Sequence, residues 1–139
     1  MKSALIALLL LSSFYANAGS ALIPEWRQHN YVHTCINISN ISSSDVGVTV
    51  KLYKQDGSLY TGSITGEGAV NTEFTLSAQN TIQMCVPASA SNFMGFGSIT
   101  GRAIDSSVTD GFLVARAVIS DVVSKNKWQS VTINGGKAF

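Results

Sequence analysis

The sequence predicts an all-β sandwich of about eight mostly antiparallel strands, folded as a single domain. Three observations lead there. Beyond residue 18, Val and Ile together outnumber Leu 22 to 5, and branched side chains suit a pleated surface better than a helix. Apolar and polar residues alternate with period two in short runs spaced about 8–12 residues apart. No helical period survives for three turns, and Glu, a common helix filler, stands only at Glu25, Glu67 and Glu73.

The first strand is expected over Tyr31–Ile38, with Val32, Ile36 and Ile38 on one face and His33, Cys35 and Asn37 on the other. Asn40–Asp45 is a turn cluster. Val46, Val48, Val50 and Leu52 then alternate with Gly47, Thr49, Lys51 and Tyr53. Asp56-Gly57 is a strong hairpin signal, returning into a short strand over Ser58–Ile64 that Gly62 weakens. After Gly66-Glu67-Gly68, a strand over Asn71–Leu76 turns Thr72, Phe74 and Leu76 inward. Thr81–Val86 follows, with Ile82, Met84 and Val86 inward, and Pro87 ends it because it has no N–H for the ladder. Phe96–Ile104 and Gly111–Asp121 come next across the turn Asp105–Asp110. The stretch from Phe112 to Ile119 is apolar on both faces apart from Arg116, which suits a central strand covered on both sides. Trp128–Ile133 is the last strand, before Asn134-Gly135-Gly136 and a tail to Phe139. The pentapeptide Gly-Ser-Ile-Thr-Gly occurs twice, at residues 62–66 and 97–101, without any match in the flanks. It reads as coincidence.

Residues 1–18 stand apart. Met1-Lys2, an apolar run from Ala4 to Tyr15 and the small-x-small Ala16-Asn17-Ala18 form the pattern of a secretory signal peptide, with cleavage between Ala18 and Gly19. Residues 19–30 carry no clear period and include Pro24, so they read as an N-terminal arm before a sandwich domain over 31–139. Removal of Lys2 with the leader leaves as many cations as anions. That balance argues against nucleic acid as a partner, and no second apolar run reaches the roughly 18 residues of a membrane-spanning helix. Charged residues make up only 12 % of the chain, about half the usual share. Ser, Thr and Asn take their place, a surface common in exported β proteins and in self-packing subunits.

The stretch Tyr31–Gly57, YVHTCINISNISSSDVGVTVKLYKQDG, resembles the strand–Asn–turn–strand–Asp-Gly opening of bacterial Ig-like sandwiches, in rhythm most like the sensory rhodopsin transducer type. TEFTLSAQNTIQMCV and the pieces GFGSITGRA and GFLVARAVISD follow in the same element order, so the likeness covers about residues 31–133. It is a likeness of faces and turns and carries no catalytic motif. It implies an Ig-like fold and a binding or assembly module, often oligomeric. The leader and the cysteine pair depart from a cytosolic transducer, so its signalling role does not carry over.

No catalytic cluster emerges, and no cofactor is implied. Glu25, His29 and His33 would share one helical face and hold zinc, but Pro24 and the strand starting at Tyr31 deny them that helix. No serine lies in a Gly-x-Ser-x-Gly elbow, and the loop carboxylates Glu67, Glu73, Asp105 and Asp110 suit turns better than glycosidic acid–base work. Asn37-Ile-Ser39 and Asn40-Ile-Ser42 match glycosylation acceptors in form only. Candidate interaction residues are the aromatic and arginine side chains Trp26, Arg27, Tyr53, Tyr60 and Trp128, of which the two tryptophans could equally cover the open ends of the sandwich. Cys35 and Cys85 are expected to form one disulfide. Each falls on the polar face of its strand, so the bond should join two neighbouring strands of one sheet across the outward surface. The leading expectation is an exported, non-catalytic interaction or assembly subunit, periplasmic or on the cell surface. The alternatives are a glycan or small-ligand binding module and, more remotely, a small hydrolase or a small outer-membrane barrel ending at Phe139.

Overall fold

The computed structural model describes residues 19–105, 112–124 and 127–139. The leader read at 1–18 and most of the turn before Gly111, including Asp110, lie outside them. Among the described residues nine strands form: β1 (Gly19–Gln28), β2 (Val32–Asn40), β3 (Val46–Lys54), β4 (Thr65–Gly66), β5 (Glu73–Leu76), β6 (Thr81–Val86), β7 (Phe93–Ala103), β8 (Leu113–Asp121) and β9 (Trp128–Thr132). A short 3-10 turn at Asn134–Gly136 is the one helical element among the described residues. The strands make two antiparallel sheets, ordered β1-β7-β3-β5 and β4-β6-β2-β8-β9. The chain is an all-β sandwich.

Its core lies between the sheets, where alternation puts it. Val46, Val48, Val50 and Leu52 of β3 and Ile99 of β7 are sealed from solvent on one side. Ile36 and Ile38 of β2, Met84 of β6 and Leu113 and Ala117 of β8 answer from the other. Each such branched side chain contributes about 1.5–3 kcal/mol on burial. Asn40 is the main polar exception at 2 % exposure. Its Nδ2 donates to the carbonyls of Ser44, Leu76 and Ser77, and its Oδ1 accepts from the backbone and hydroxyl of Ser42. That network pins the β2–β3 turn to the end of β5.

Residues 19–28 are a strand and no free arm. β1 pairs with β7 from Gly19 opposite Gly101 to Gln28 opposite Phe93. The register slips between Ile23 and Trp26, at Pro24 and Glu25. Ala21 and Ile23 are buried before the slip, Trp26 and Gln28 after it, so the inward positions change from odd to even. A bulge hides a strand from any reading that relies on unbroken alternation. Pro24 is tolerated because bulges and edge strands leave its missing N–H unneeded.

The return of the Asp56 hairpin also differs. The turn forms, with Lys54 N–H donating to Ser58 O and Tyr60 N–H to Leu52 O. The return then ends, no strand runs over Ser58–Ile64, and the chain crosses to the other sheet as β4 beside β6. The two Gly-Ser-Ile-Thr-Gly copies therefore have unlike roles, one in this crossing and one inside β7. Thr72 is exposed and β5 starts at Glu73. β8 lies inside its sheet, as expected, but only one face is covered: Val114 and Val118 are half-buried and Arg116 is exposed. Phe139 is buried and its backbone exchanges two hydrogen bonds with Leu113. Two open-edged sheets with the core between them replace the closed barrel.

Cys35 stands directly opposite Cys85 in the β2–β6 ladder. They are disulfide-bonded, with the Cα atoms 4.0 Å apart. Both are half-exposed, so the bond crosses two neighbouring strands of one sheet on its outward face.

Candidate functional site

The five candidate side chains separate into three environments. Trp26 and Tyr60 are buried, at 0 % and 2 % exposure, which removes them from any contact surface. Their rings meet edge to face at 5.1 Å. The Trp26 indole N–H donates to the carbonyls of Tyr53 and Phe96, at 2.9 and 3.1 Å. Glycines at the neighbouring inward positions of β7 let that strand pack closely on β3. A Cβ on Gly95 would sit 1.8 Å from Tyr53 O, and one on Gly97 2.8 Å from a Leu52 methyl. Trp26 closes one end of the core, as the alternative reading of the tryptophans had it. Tyr60 OH donates to Ser63 O and accepts from the Gln28 amide, and burial pushes its pKa above the ordinary tyrosine value.

Tyr53 does face outward, and it has company. Its ring stacks on Phe96 of β7 at 5.0 Å and 17° between planes, as the cross-strand pairing of the two residues dictates. Phe96 is 44 % exposed and Met94, two residues back on the same face, 45 %. Leu59 bridges to Tyr53 from the hairpin return, and Leu22 of β1 lies opposite Ser98; both are exposed. An apolar ridge therefore runs across the outward face of the β1-β7-β3-β5 sheet; Tyr31, Ile41, Ile104, Val122, Val123 and Trp128 are exposed elsewhere on the chain. Sequence reading missed Met94, Phe96, Leu59 and Leu22. A signal existed: Ile99 faces inward, so parity counted back through Gly97 and Gly95 places Phe96 and Met94 outside. Because Tyr53 and Phe96 cover one face of each other's rings, neither offers two free faces for sugar stacking.

The third environment is the corner where the end of β8 lies between the starts of β2 and β9. Trp128, 70 % exposed, does not cover the sandwich. It rims a recess of about 420 Å³ shared with Arg27, Lys127 and Gln129. Arg27 forms an ion pair with Glu25, which also accepts from Gln129. Behind the recess Ser120 Oγ and His33 Nε2 lie 2.7 Å apart. A hydrolytic triad would need a carboxylate orienting that imidazole. The adjacent Asp121 instead accepts from the backbone N–H groups of Val123 and Ser124, which lower its pKa.

Glu25, His29 and His33 are separated by the β1–β2 turn, and no three metal-ligating side chains gather among the described residues. Asp105 is exposed. Glu73 is held by Arg102, whose guanidinium lowers its pKa. No helix among the described residues is long and apolar enough to cross a membrane. No known protein family, curated protein or solved structure matches the chain.

Proposed function

We propose that this protein is an exported, non-catalytic interaction module that assembles with further copies of itself through the outward face of the β1-β7-β3-β5 sheet. The observation that carries the reading is the ridge of Leu22, Tyr53, Leu59, Met94 and Phe96. Contiguous apolar surface on a sheet is costly to leave in water and marks a docking face more often than it stays bare. A second copy is the favoured occupant because the chain is close to neutral, with a formal charge of +1. Net charge therefore opposes self-association little, and the cations on this face, Lys51 opposite Ser98 and Arg27 opposite Met94, flank the ridge. Export is supported by the apolar run at residues 4–15 and by a disulfide, which persists in oxidising compartments. Intact-mass analysis of the secreted product should then begin at Gly19.

The assembly reading is tested by light scattering on the chain beginning at Gly19. Mass should rise with concentration, and the double variant Met94→Ser/Phe96→Ser should stay monomeric while keeping its β circular dichroism. A wild-type mass fixed at the monomer up to millimolar concentration would defeat it.

Glycan binding is the second reading, and its specific support is the recess that the exposed Trp128 shares with Arg27, Lys127 and Gln129. A glycan array that lights up with wild type and goes dark with Trp128→Ala would favour it.

A further inference from the structure

At the Trp26 end of the sandwich, a cavity of about 310 Å³ opens between the hairpin return and the segment after β6. Its floor is Gln28, 3 % exposed. The Gln28 amide donates to Pro87 O at 2.8 Å and to Tyr60 OH at 3.3 Å. A carbonyl oxygen only accepts, so Pro87 fixes which end of the amide is nitrogen. The other end, Oε1, accepts no hydrogen bond from any described residue, in a side chain that lines the cavity. Lys54 also lines the cavity; its Nζ lies 5.1 Å from the centre of the Phe93 ring and within no ion pair among the described residues. Asp56, bonded by Ser58 through both backbone and hydroxyl, feels the Lys54 charge as a weaker, longer-range influence.

These groups specify a ligand. One cation asks for one negative charge. The unbonded amide oxygen, backed by a buried frame, asks for a hydroxyl donor. Phe93 offers an apolar wall to C–H groups. Phosphate fits less well, because it draws several donors or a guanidinium fork, and here there is a single ammonium. The volume lies at the low end of the roughly 300–1,000 Å³ of ligand pockets, enough for one sugar-sized ring. We infer that this cavity binds a hydroxylated carboxylate of monosaccharide size, of the uronic acid class, with its carboxylate on Lys54 and a hydroxyl donating to Gln28 Oε1. This site is separate from the apolar ridge and does not depend on assembly.

The test is a titration of the isotopically labelled protein, followed by amide chemical shifts, with sodium D-glucuronate, D-glucose and sodium acetate. Glucuronate should move the amides of Gln28, Lys54, Tyr60, Ser63 and Phe93. Glucose and acetate should each bind about tenfold or more weaker, since each lacks one of the two contacts. Lys54→Gln, titrated from its own ligand-free spectrum, should weaken glucuronate by a similar factor. Methyl β-D-glucuronide, blocked only at the anomeric oxygen, separates the sources: equal binding means that the terminal residue of a glycan fits, and lost binding means that the free monosaccharide is the ligand. The inference is overturned if saturating glucuronate leaves these amides unmoved, if glucose or acetate binds as well as glucuronate, or if Lys54→Gln changes nothing.

Discussion

Two tryptophans of one composition class have opposite fates, and the difference is measurable. The Trp26 N–H donates to two part-buried carbonyls, whereas the Trp128 ring stands mostly in water. Trp26→Phe removes both indole hydrogen bonds and should cost about 1–3 kcal/mol. Trp128→Phe should stay within about 0.5 kcal/mol. Urea unfolding of the two variants checks the contrast. Acid sensitivity is also residue-borne. Asp121 has its pKa lowered by the Val123 and Ser124 backbone donors, and Asp56 by the Ser58 hydroxyl and then its backbone N–H. A lowered carboxyl stabilises the fold above its ordinary pKa, and that contribution is lost as pH falls through the lower folded value. Stability should be flat from neutral pH to about 5 and fall below about 4. Asp121→Asn should shrink that fall in pH-dependent melts; an unchanged acid limb would show that the Asp121 bonds do not persist in solution. Burial of Tyr60 was illegible in sequence because the hairpin return is too short to carry a parity. For Phe96 and Met94 the parity was there, masked by glycines that make inward positions look empty.

At the scale of elements, unbroken alternation was readable and interrupted alternation was not. β2 and β6 run without a bulge, so the outward parity of Cys35 and Cys85 survives and their pairing across one sheet follows from it. Closing the 50-residue separation contributes about 4 kcal/mol by the unfolded-chain entropy argument. Reduction should therefore lower the melting temperature strongly while far-ultraviolet circular dichroism keeps its β form at low temperature. β1 is the opposite case. The bulge at Pro24 breaks its phase, and a strand that buries Ile23 and Trp26 passes for a loose arm. Starting the chain at His29 would remove both core side chains and uncover β7. That truncation should fail to give a cooperative unfolding transition. A truncated chain that melts sharply near the wild-type temperature would mean that β1 is dispensable.

For the whole molecule, fold class was written in composition and spacing, while the docking face was not. Which sheet face meets water is local parity; which face is apolar emerges only when Leu22, Leu59, Tyr53 and Phe96, from three strands and a hairpin return, are laid side by side. The outward face of the other sheet presents His33, Asn37, Thr81 and Gln83 around the disulfide, with Val114, Val118 and Trp128 beside them. The central claim is that copies meet on the ridge face of the β1-β7-β3-β5 sheet. Amide chemical shifts followed from micromolar to millimolar concentration test this most directly. The account predicts shifts and broadening confined to Leu22, Tyr53, Leu59, Met94, Phe96 and Ser98, with Asn37, Thr81 and Gln83 unmoved. Shifts centred on Asn37, Thr81 and Gln83, or a spectrum that does not change with concentration, would contradict it.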